Sequence, residues 1–315
     1  MISARQIAAV LAVALLGVAG TARAEGVALR FRKALYLSGN PDDGAAADEK
    51  THVKLNAPEG VACADDGSVA VADTGNHRLV LYRVQDGIWS GGTEVKIPEL
   101  SYPTRLQLDS KGNILALDRK SKKIVRLNGK GALVNVLEFK GLEGGAGGAT
   151  VVPAGFALDR ADNIYVLDVA GQRVLAADPL GVVTRQIPLP AVNGLFTGVA
   201  VDAAGTVFAL EGTEGAVFSA PASATEFKPL GARLKDYMNF GSFITTNNKG
   251  TLLVVDQNGH GIVLLGTDGA YRGRQLAMGW SEGYVYYPAQ LCLTPGGTAF
   301  VADRGNNRVQ MFTGN

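Results

Sequence analysis

The chain has 315 residues, with 30 basic and 29 acidic side chains and a formal net charge of +1 at pH 7. This near-neutral balance disfavours nucleic acids and anionic membranes as partners, because both are bound largely through excess Lys and Arg. The 41 glycines, and short β-branched runs between Gly, Asp and Asn clusters, predict many short strands joined by turns. No linker divides the chain, so we predict one all-β domain after the N-terminal segment.

The first 24 residues have the composition of a secretory signal peptide. Arg5 precedes an uncharged apolar run over residues 7–19, which is followed by the small-x-small sequence ARA. The run is shorter than the roughly 20 residues of a membrane-spanning helix. We therefore predict a signal peptide over residues 1–24, a mature domain over residues 25–315, and export to the periplasm, with the extracellular medium as the alternative.

A repeated unit follows, and its clearest copies are "VADTGNHRLVLY" at residues 71–82 and "VADRGNNRVQMF" at residues 301–312. Alignment on these copies identifies six units that recur about every 40 to 50 residues, a period typical of propellers and solenoids. Each unit contains three recognisable strands and a weaker fourth, as expected for a propeller blade. The residues that anchor the alignment are acidic: Asp73, Asp118, Asp168, Glu211, Asp256 and Asp303.

The two ends of the chain complement each other. The last unit stops after its third strand, whereas residues 29–38 form a strand-like segment ahead of the first unit. We predict a six-bladed β-propeller of four-stranded blades, in which the N-terminal segment completes the last blade. Such pairing removes two strand edges that would otherwise promote aggregation.

The first unit contains Asn76, His77, Arg78 and Leu79, and corresponds to the motif after which the NHL-repeat family is named. From residue 29 onward the chain resembles exported bacterial members of this family, which implies a six-bladed propeller.

A basic residue follows the acidic anchor by five positions in four of the units. We predict that each acid and base form a partly buried ion pair that fixes the turn between the second and third strands. Ala216 and Gly261 replace the basic residue in the fourth and fifth units. The predicted pairs are Asp73 with Arg78, Asp118 with Lys123, Asp168 with Arg173, and Asp303 with Arg308.

The functional centre of related propellers lies where the innermost strands begin. The residues at these positions are Glu59, Thr104, Ala154, Thr197, Ser242 and Ala289. The peptide-amidating lyases, which the repeats resemble, have zinc-binding His at three such positions, and this chain has none. The strand opening at residues 58–61 resembles that of calcium-dependent lactonases, but only Glu59 corresponds to a ligand. We therefore predict no metal and no cofactor, and keep Glu59 as a candidate ligand-binding residue.

The segment "GWSEGYVYYP", residues 279–288, has more aromatic residues than one blade connection needs. Tyr and Trp are common in recognition surfaces, because they bury a large area and keep a polar group. The candidate partner-binding residues in this segment are Trp280, Tyr284, Tyr286 and Tyr287.

These features predict an exported, monomeric and non-catalytic propeller that binds or scaffolds a protein or peptide in the cell envelope. The alternative is a metal-dependent hydrolase or lyase of the lactonase or peptide-amidating-lyase type, with an atypical channel site around Glu59. A carbohydrate-binding module is the third hypothesis.

The two cysteines, Cys63 and Cys292, fall in the first strands of the first and sixth units. These blades are neighbours in a closed ring, and the parity of the two positions directs the side chains to opposite faces of equivalent sheets. Two arrangements follow: a disulfide between the blades, or two buried free thiols. Export to an oxidising compartment favours the disulfide.

Overall fold

The computed structural model describes residues 28–36, 53–85, 88–142 and 150–314. The predicted signal peptide, residues 1–24, lies outside the described residues. Within the described ranges no helix has the length and apolar character needed to cross a membrane.

Strand β1, Arg30–Leu35, comes first in the chain and is followed by blades 1 to 3. Each of these blades is an antiparallel sheet whose four strands lie in sequence order. Their strands are β2 (Gly60–Cys63), β3 (Val69–Asp73), β4 (Arg78–Gln85) and β5 (Ile88–Val95); β6 (Pro103–Leu108), β7 (Ile114–Asp118), β8 (Lys123–Leu127) and β9 (Leu133–Val136); and β10 (Pro153–Leu158), β11 (Ile164–Asp168), β12 (Arg173–Ala177) and β13 (Val183–Pro188).

Blades 4 and 5 have the same strand order, and blade 6 contains the last three strands. The strands are β14 (Phe196–Val201), β15 (Val207–Glu211), β16 (Ala216–Ala220) and β17 (Lys228–Pro229); β18 (Gly241–Thr246), β19 (Thr251–Asp256), β20 (Gly261–Gly266) and β21 (Tyr271–Gln275); and β22 (Pro288–Leu293), β23 (Thr298–Asp303) and β24 (Arg308–Thr313). Short 3-10 helices, Thr74–Asn76 and Arg304–Asn306, join the second and third strands of blades 1 and 6.

The core of the protein lies between the blades. Six clusters of buried apolar side chains each combine residues of two neighbouring blades, including one cluster between blades 6 and 1. Strands such as β7 are buried along their whole length because both faces of each sheet pack on a neighbour. The predicted all-β, six-bladed propeller is confirmed.

The predicted closure of the ring is also confirmed. Strand β1 pairs antiparallel with β24, from Arg30 opposite Thr313 to Leu35 opposite Val309, and completes blade 6. The chain ends therefore meet in one sheet, and the outer edge of β24 is covered.

Cys63 and Cys292 form a disulfide across the interface between blades 1 and 6, with their Cα atoms 6.0 Å apart. The bond joins β2 to β22. It therefore links the two ends of the ring at its innermost strands, beside the seam that β1 closes further out.

Three of the four predicted ion pairs form, each between an Arg Nε and an Asp Oδ2. The Arg78–Asp73, Arg173–Asp168 and Arg308–Asp303 distances are 2.6, 2.9 and 2.8 Å, and all six side chains are nearly fully buried.

The predicted pair between Lys123 and Asp118 is wrong. Lys123 is exposed, and no ion pair among the described residues joins it to Asp118. The Asp118 carboxylate instead accepts backbone N–H groups from Tyr102 and Ser121. A lysine ammonium is a strongly hydrated point charge without the planar fork of arginine, so it remains in water here.

Candidate active site

Two rings of residues surround the channel on one face of the propeller. The first strand of each blade begins where the second ends, because the two are antiparallel; Pro103, for example, lies opposite Asp118. The first ring contains the residues that open the innermost strands: Glu59, Thr104, Ala154, Thr197, Ser242 and Ala289. The second contains the residues that follow the acidic anchors: Thr74, Arg119, Val169, Gly212, Gln257 and Arg304.

Glu59 is the one acidic residue in these rings, and two arginines contact it. Arg119 Nη2, from blade 2, lies 2.5 Å from Glu59 Oε2, and Arg304 Nε, from blade 6, lies 3.3 Å from Oε1. Glu59 is 4% exposed, whereas the side chains of Arg119 and Arg304 are 57% and 39% exposed. Arg304 Nε is itself buried and makes no hydrogen bond with the described residues. The rest of the two arginine side chains is exposed, so a ligand can reach them at this opening of the channel, which we call the channel mouth.

A third arginine, Arg105, extends across the channel from β6. Its guanidinium donates to the carbonyl oxygens of Ser242 and Ala289 at 2.9 and 3.2 Å, in blades 5 and 6, and lies 5.6 Å from the ring centroid of Phe243. Burial lowers the pKa of Arg105 to about 10, while Glu59 opposes that shift. Arg105 is therefore charged at neutral pH, and the three guanidinium groups around one carboxylate give the mouth a net positive charge.

Gln290 crosses the channel one position further along the strands. Its Nε2 donates to the carbonyl oxygen of Leu106 at 2.7 Å, and its Oε1 accepts the Leu106 N–H at 3.2 Å. Gln290 is 1% exposed. Arg105 and Gln290 together form the floor of the mouth.

A cavity of about 290 Å³ opens above Arg105. Glu59, Arg105 and Arg119 line its charged side, and its other walls combine apolar and neutral polar side chains. Its volume lies at the lower end of the range of small-ligand sites, and its few charges among apolar and neutral walls suit such a ligand. The remaining lining residues are Ala154, Leu195, Phe196, Thr197, Phe240, Ser242 and Gln257.

The donors of this site do not fit a metal ion. No group of three or more His, Cys, Asp or Glu that could hold a metal exists among the described residues. Zinc needs three or four converging ligands and calcium six to eight oxygens, usually with several carboxylates. The single carboxylate, Glu59, is already paired with guanidinium groups, which would repel a cation.

Three of the four predicted aromatic residues, Trp280, Tyr286 and Tyr287, form a separate cluster on this face. Trp280, Tyr284 and Tyr287 are 69%, 49% and 37% exposed. The ring of Tyr286 lies 5.8 Å from Trp280, 4.7 Å from Tyr287, and stacks on His260 at 5.0 Å, measured between centroids. None of them lines the channel cavity. Their predicted role in partner binding stays a prediction.

The sequence-based hypotheses identified Glu59 but missed the three arginines. Arg119 and Arg304 each follow an acidic anchor directly, so the second ring could have been read from the repeat alignment in the same way as the first. No other unit has a basic residue at the position of Arg105, and the contacts of Arg105 depend on how blades 2, 5 and 6 meet at the channel.

The six four-stranded sheets and their channel define the class as a six-bladed β-propeller. The NHL repeat family matches residues 55–82 and 285–312, which are the first and last repeats. The chain is thus a six-bladed propeller with NHL repeats at these residues. No curated protein matches it in sequence.

Solved structures of several enzymes share this fold. Virginiamycin B lyase from Staphylococcus aureus is 16% identical, with a TM-score of 0.56 over 90% of this chain and 89% of that one. A gluconolactonase from Xanthomonas campestris is 12% identical, with a TM-score of 0.60 over 92% and 100% of the two chains. An aldose sugar dehydrogenase from Streptomyces coelicolor, in its PQQ-bound form, is 14% identical, with a TM-score of 0.61 over 93% and 100%.

The prediction of a non-catalytic binding or scaffolding module is wrong, because these similar structures are enzymes. The lyase or lactonase hypothesis agrees better with them. The sequence favoured a scaffold because only one carboxylate, Glu59, was expected at the channel. The arginines beside it were not predicted.

Proposed function

We propose that this protein is an enzyme of the lyase or lactonase type that acts on an acyl compound at the channel mouth. The observation that carries the proposal is the nearly buried Glu59 carboxylate between Arg119 and Arg304, above the buried guanidinium of Arg105. The site supplies a proton acceptor and fixed positive charge without a metal.

The two reaction types need the same electrostatic support. Hydrolysis of a lactone places negative charge on the acyl oxygen, and elimination of a group β to a carbonyl passes through an enolate. Positive groups fixed where that charge develops stabilise the transition state, and they act most strongly where water is excluded. Arg119 and Arg304 are exposed enough to reach a substrate oxygen, while Arg105 is held in place by carbonyl oxygens.

Substrate binding would also activate Glu59. In the free protein both carboxylate oxygens contact guanidinium groups, which occupy the lone pairs that would accept a proton. A substrate oxygen that accepts hydrogen bonds from Arg119 and Arg304 would compete with Glu59 for these two side chains. The released carboxylate then accepts a proton from the substrate or from an attacking water.

The apolar wall supports this chemistry. Phe196, Phe240 and Leu195 line the same cavity as Glu59. A substrate seated against them would displace water from the mouth, so that the charges of the arginines act in a medium of low polarity.

The proposal is tested with a panel of lactones and cyclic ester peptides. Active substrates are compared between the wild type and Glu59→Gln, which keeps the shape of the side chain but cannot accept a proton. General-base catalysis contributes roughly 100- to 10,000-fold, so kcat should fall by that order. Glu226→Gln, at an exposed carboxylate in blade 4, is the control and should keep full activity. Absence of turnover over the panel, or an active Glu59→Gln protein, would contradict the proposal.

Export to an oxidising compartment remains part of the proposal. The disulfide between Cys63 and Cys292 is compatible with it, since such bonds persist mainly outside the cytosol. Fractionation of the native cells and the N-terminal sequence of the mature protein test both the location and the cleavage after residue 24.

A further inference from the structure

Blade 4 has an unfilled position beside its acidic anchor. In blades 1, 3 and 6 this position, which we call the arginine slot, contains the guanidinium of Arg78, Arg173 or Arg308, from the first residue of the third strand. These arginines lie directly opposite their Asp in the strand register. The slot is thus a repeated feature of the fold with a defined occupant.

Blade 5 fills the slot by another route. Its third strand begins with Gly261, opposite Asp256, and the missing side chain is replaced by Arg274 from the fourth strand. Arg274 lies opposite Val263 and places Nη1 2.8 Å from Asp256 Oδ2. Two register positions can therefore supply the cation.

Blade 4 has no basic residue at either position. Ala216 stands opposite Glu211, and Pro229, opposite Phe218, occupies the register position of Arg274. Blade 2 has a basic residue at the first position, Lys123, but this side chain is exposed and forms no ion pair with Asp118 among the described residues. The two register positions that supply the cation in other blades thus hold only a methyl group and a proline ring in blade 4.

Glu211 is nevertheless a buried charge. It is 1% exposed, and its two carboxylate oxygens accept the N–H groups of Thr213 and Glu214 at 2.8 and 2.9 Å. No basic side chain among the described residues forms an ion pair with it. The nearby Arg233 and Lys235 contact Glu214 instead, at 3.7 and 2.9 Å, and are 68% and 65% exposed.

A cavity of about 600 Å³ opens where the arginine is missing. The residues that line it include Glu211, Ala216, Phe218 and Pro229, together with Asn193, Glu214 and Arg233. This volume falls within the range of small-molecule sites. The cavity shares no lining residue with the channel mouth, so the two sites are separate.

We propose that the slot of blade 4 binds the guanidinium group of an external ligand, such as an arginine side chain of a peptide. The ligand would donate to Glu211 as the chain's own arginines do in blades 1, 3 and 6. A planar guanidinium matches a carboxylate through paired hydrogen bonds, which an ammonium cannot reproduce. Glu214 is already paired with Arg233 and Lys235, so Glu211 is the charge that attracts the cation.

Titration with N-acetyl-argininamide, followed by amide NMR shifts, tests the proposal. The neutral isostere N-acetyl-citrullinamide is the matched control ligand. The shifts should map to blade 4 around Ala216, and citrulline should bind at least about tenfold more weakly, because it leaves Glu211 without a positive partner. Equal shifts with both ligands, or no shifts with argininamide up to roughly 10 mM, would overturn the proposal.

A protein variant provides a second test, and it leaves the buried charge of Glu211 in place. Ala216→Arg restores the arginine of the other blades, so it should abolish argininamide binding and raise Tm. Ala203→Arg, at an exposed turn of the same blade, adds the same charge elsewhere and should leave binding unchanged. Wild-type affinity in Ala216→Arg would show that the ligand lies elsewhere and would overturn the proposal.

Discussion

At the scale of single residues, the buried arginines hold the turns of the blades. Arg78 is 1% exposed, donates Nε to Asp73, and donates Nη2 to the carbonyl oxygen of Val53 at 3.0 Å. Removing one partner of such a pair leaves a buried charge without compensation. Arginine and lysine at this repeat position consequently have different roles.

We expect Arg78→Met to destabilise the protein by about 3 to 5 kcal/mol, since it leaves Asp73 unpaired in the core. The matched change at the same position of blade 2, Lys123→Met, should stay within about 0.5 kcal/mol, because Lys123 is exposed. Urea unfolding of both variants measures the difference. Equal losses would contradict the distinction between the two blades.

His260 connects blade 5 to blade 6 in a way that depends on its protonation. Its Nδ1 accepts the N–H of Tyr287 at 3.0 Å, and burial lowers the pKa of the imidazole. At the corresponding position of blade 6, Asn307 Oδ1 accepts the N–H of Ala57 at 2.8 Å. One acceptor titrates and the other does not.

The lowered pKa of His260 makes stability depend on pH. The unfolded chain takes up a proton near pH 6.5, before the folded protein does, so this contribution is complete above about pH 6.5 and is lost as the pH falls through the folded-state pKa. His260→Asn keeps an acceptor without titration and should reduce the fall in Tm between neutral and mildly acidic pH. An unchanged pH dependence in thermal unfolding would exclude this role.

At the scale of elements, the closure of blade 6 depends on β1. Five paired positions join β1 to β24, and Leu35 is buried in the apolar cluster between blades 6 and 1. The spacing of the repeats was sufficient to predict this pairing, because the last unit ends one strand early.

Deletion of β1 should expose the edge of β24 and remove Leu35 from its cluster. We expect the shortened protein to aggregate or to lose cooperative unfolding, as measured by light scattering and thermal denaturation beside the intact chain. A soluble monomer with an unchanged Tm would show that β1 is dispensable.

Parts of blades 4 and 5 could not be predicted from the repeat. Gly261 and Ala216 look equivalent in sequence, since both replace the basic residue. Their outcomes differ because the fourth strand supplies Arg274 in blade 5 and Pro229 in blade 4, and the register of that weak strand has no sequence signal.

At the scale of the whole molecule, the disulfide and β1 close the ring at two depths. Cys63 and Cys292 are 229 positions apart in sequence, so the bond restricts most of the unfolded chain. The strand parity in the sequence was compatible with a disulfide and with two free thiols. The distance of 6.0 Å between the two Cα atoms, which permits the disulfide, depends on how the ring closes.

Reduction of the disulfide should lower stability by about 5 kcal/mol, by the chain-entropy account of a long loop. Alkylation of the unfolded, unreduced protein should add no mass, whereas alkylation after reduction should add two groups. Two groups added without reduction would show that the thiols are free, and Tm would then be insensitive to reductant.

The channel mouth likewise exists only in the closed ring. Glu59, Arg119 and Arg304 come from blades 1, 2 and 6, and Arg105 is held by blades 5 and 6. The repeat predicts which positions border the channel, but the distances among four charged groups depend on how the blades converge.

The most direct test of this account is kcat/KM on an active acyl substrate, measured for wild-type and Glu59→Gln protein after exhaustive treatment with a metal chelator. We expect the treated wild type to keep its activity and the variant to lose roughly 100- to 10,000-fold. Activity that disappears with the chelator and returns with calcium or zinc, or a Glu59→Gln protein as active as the wild type, would contradict metal-free catalysis by Glu59 at the channel mouth.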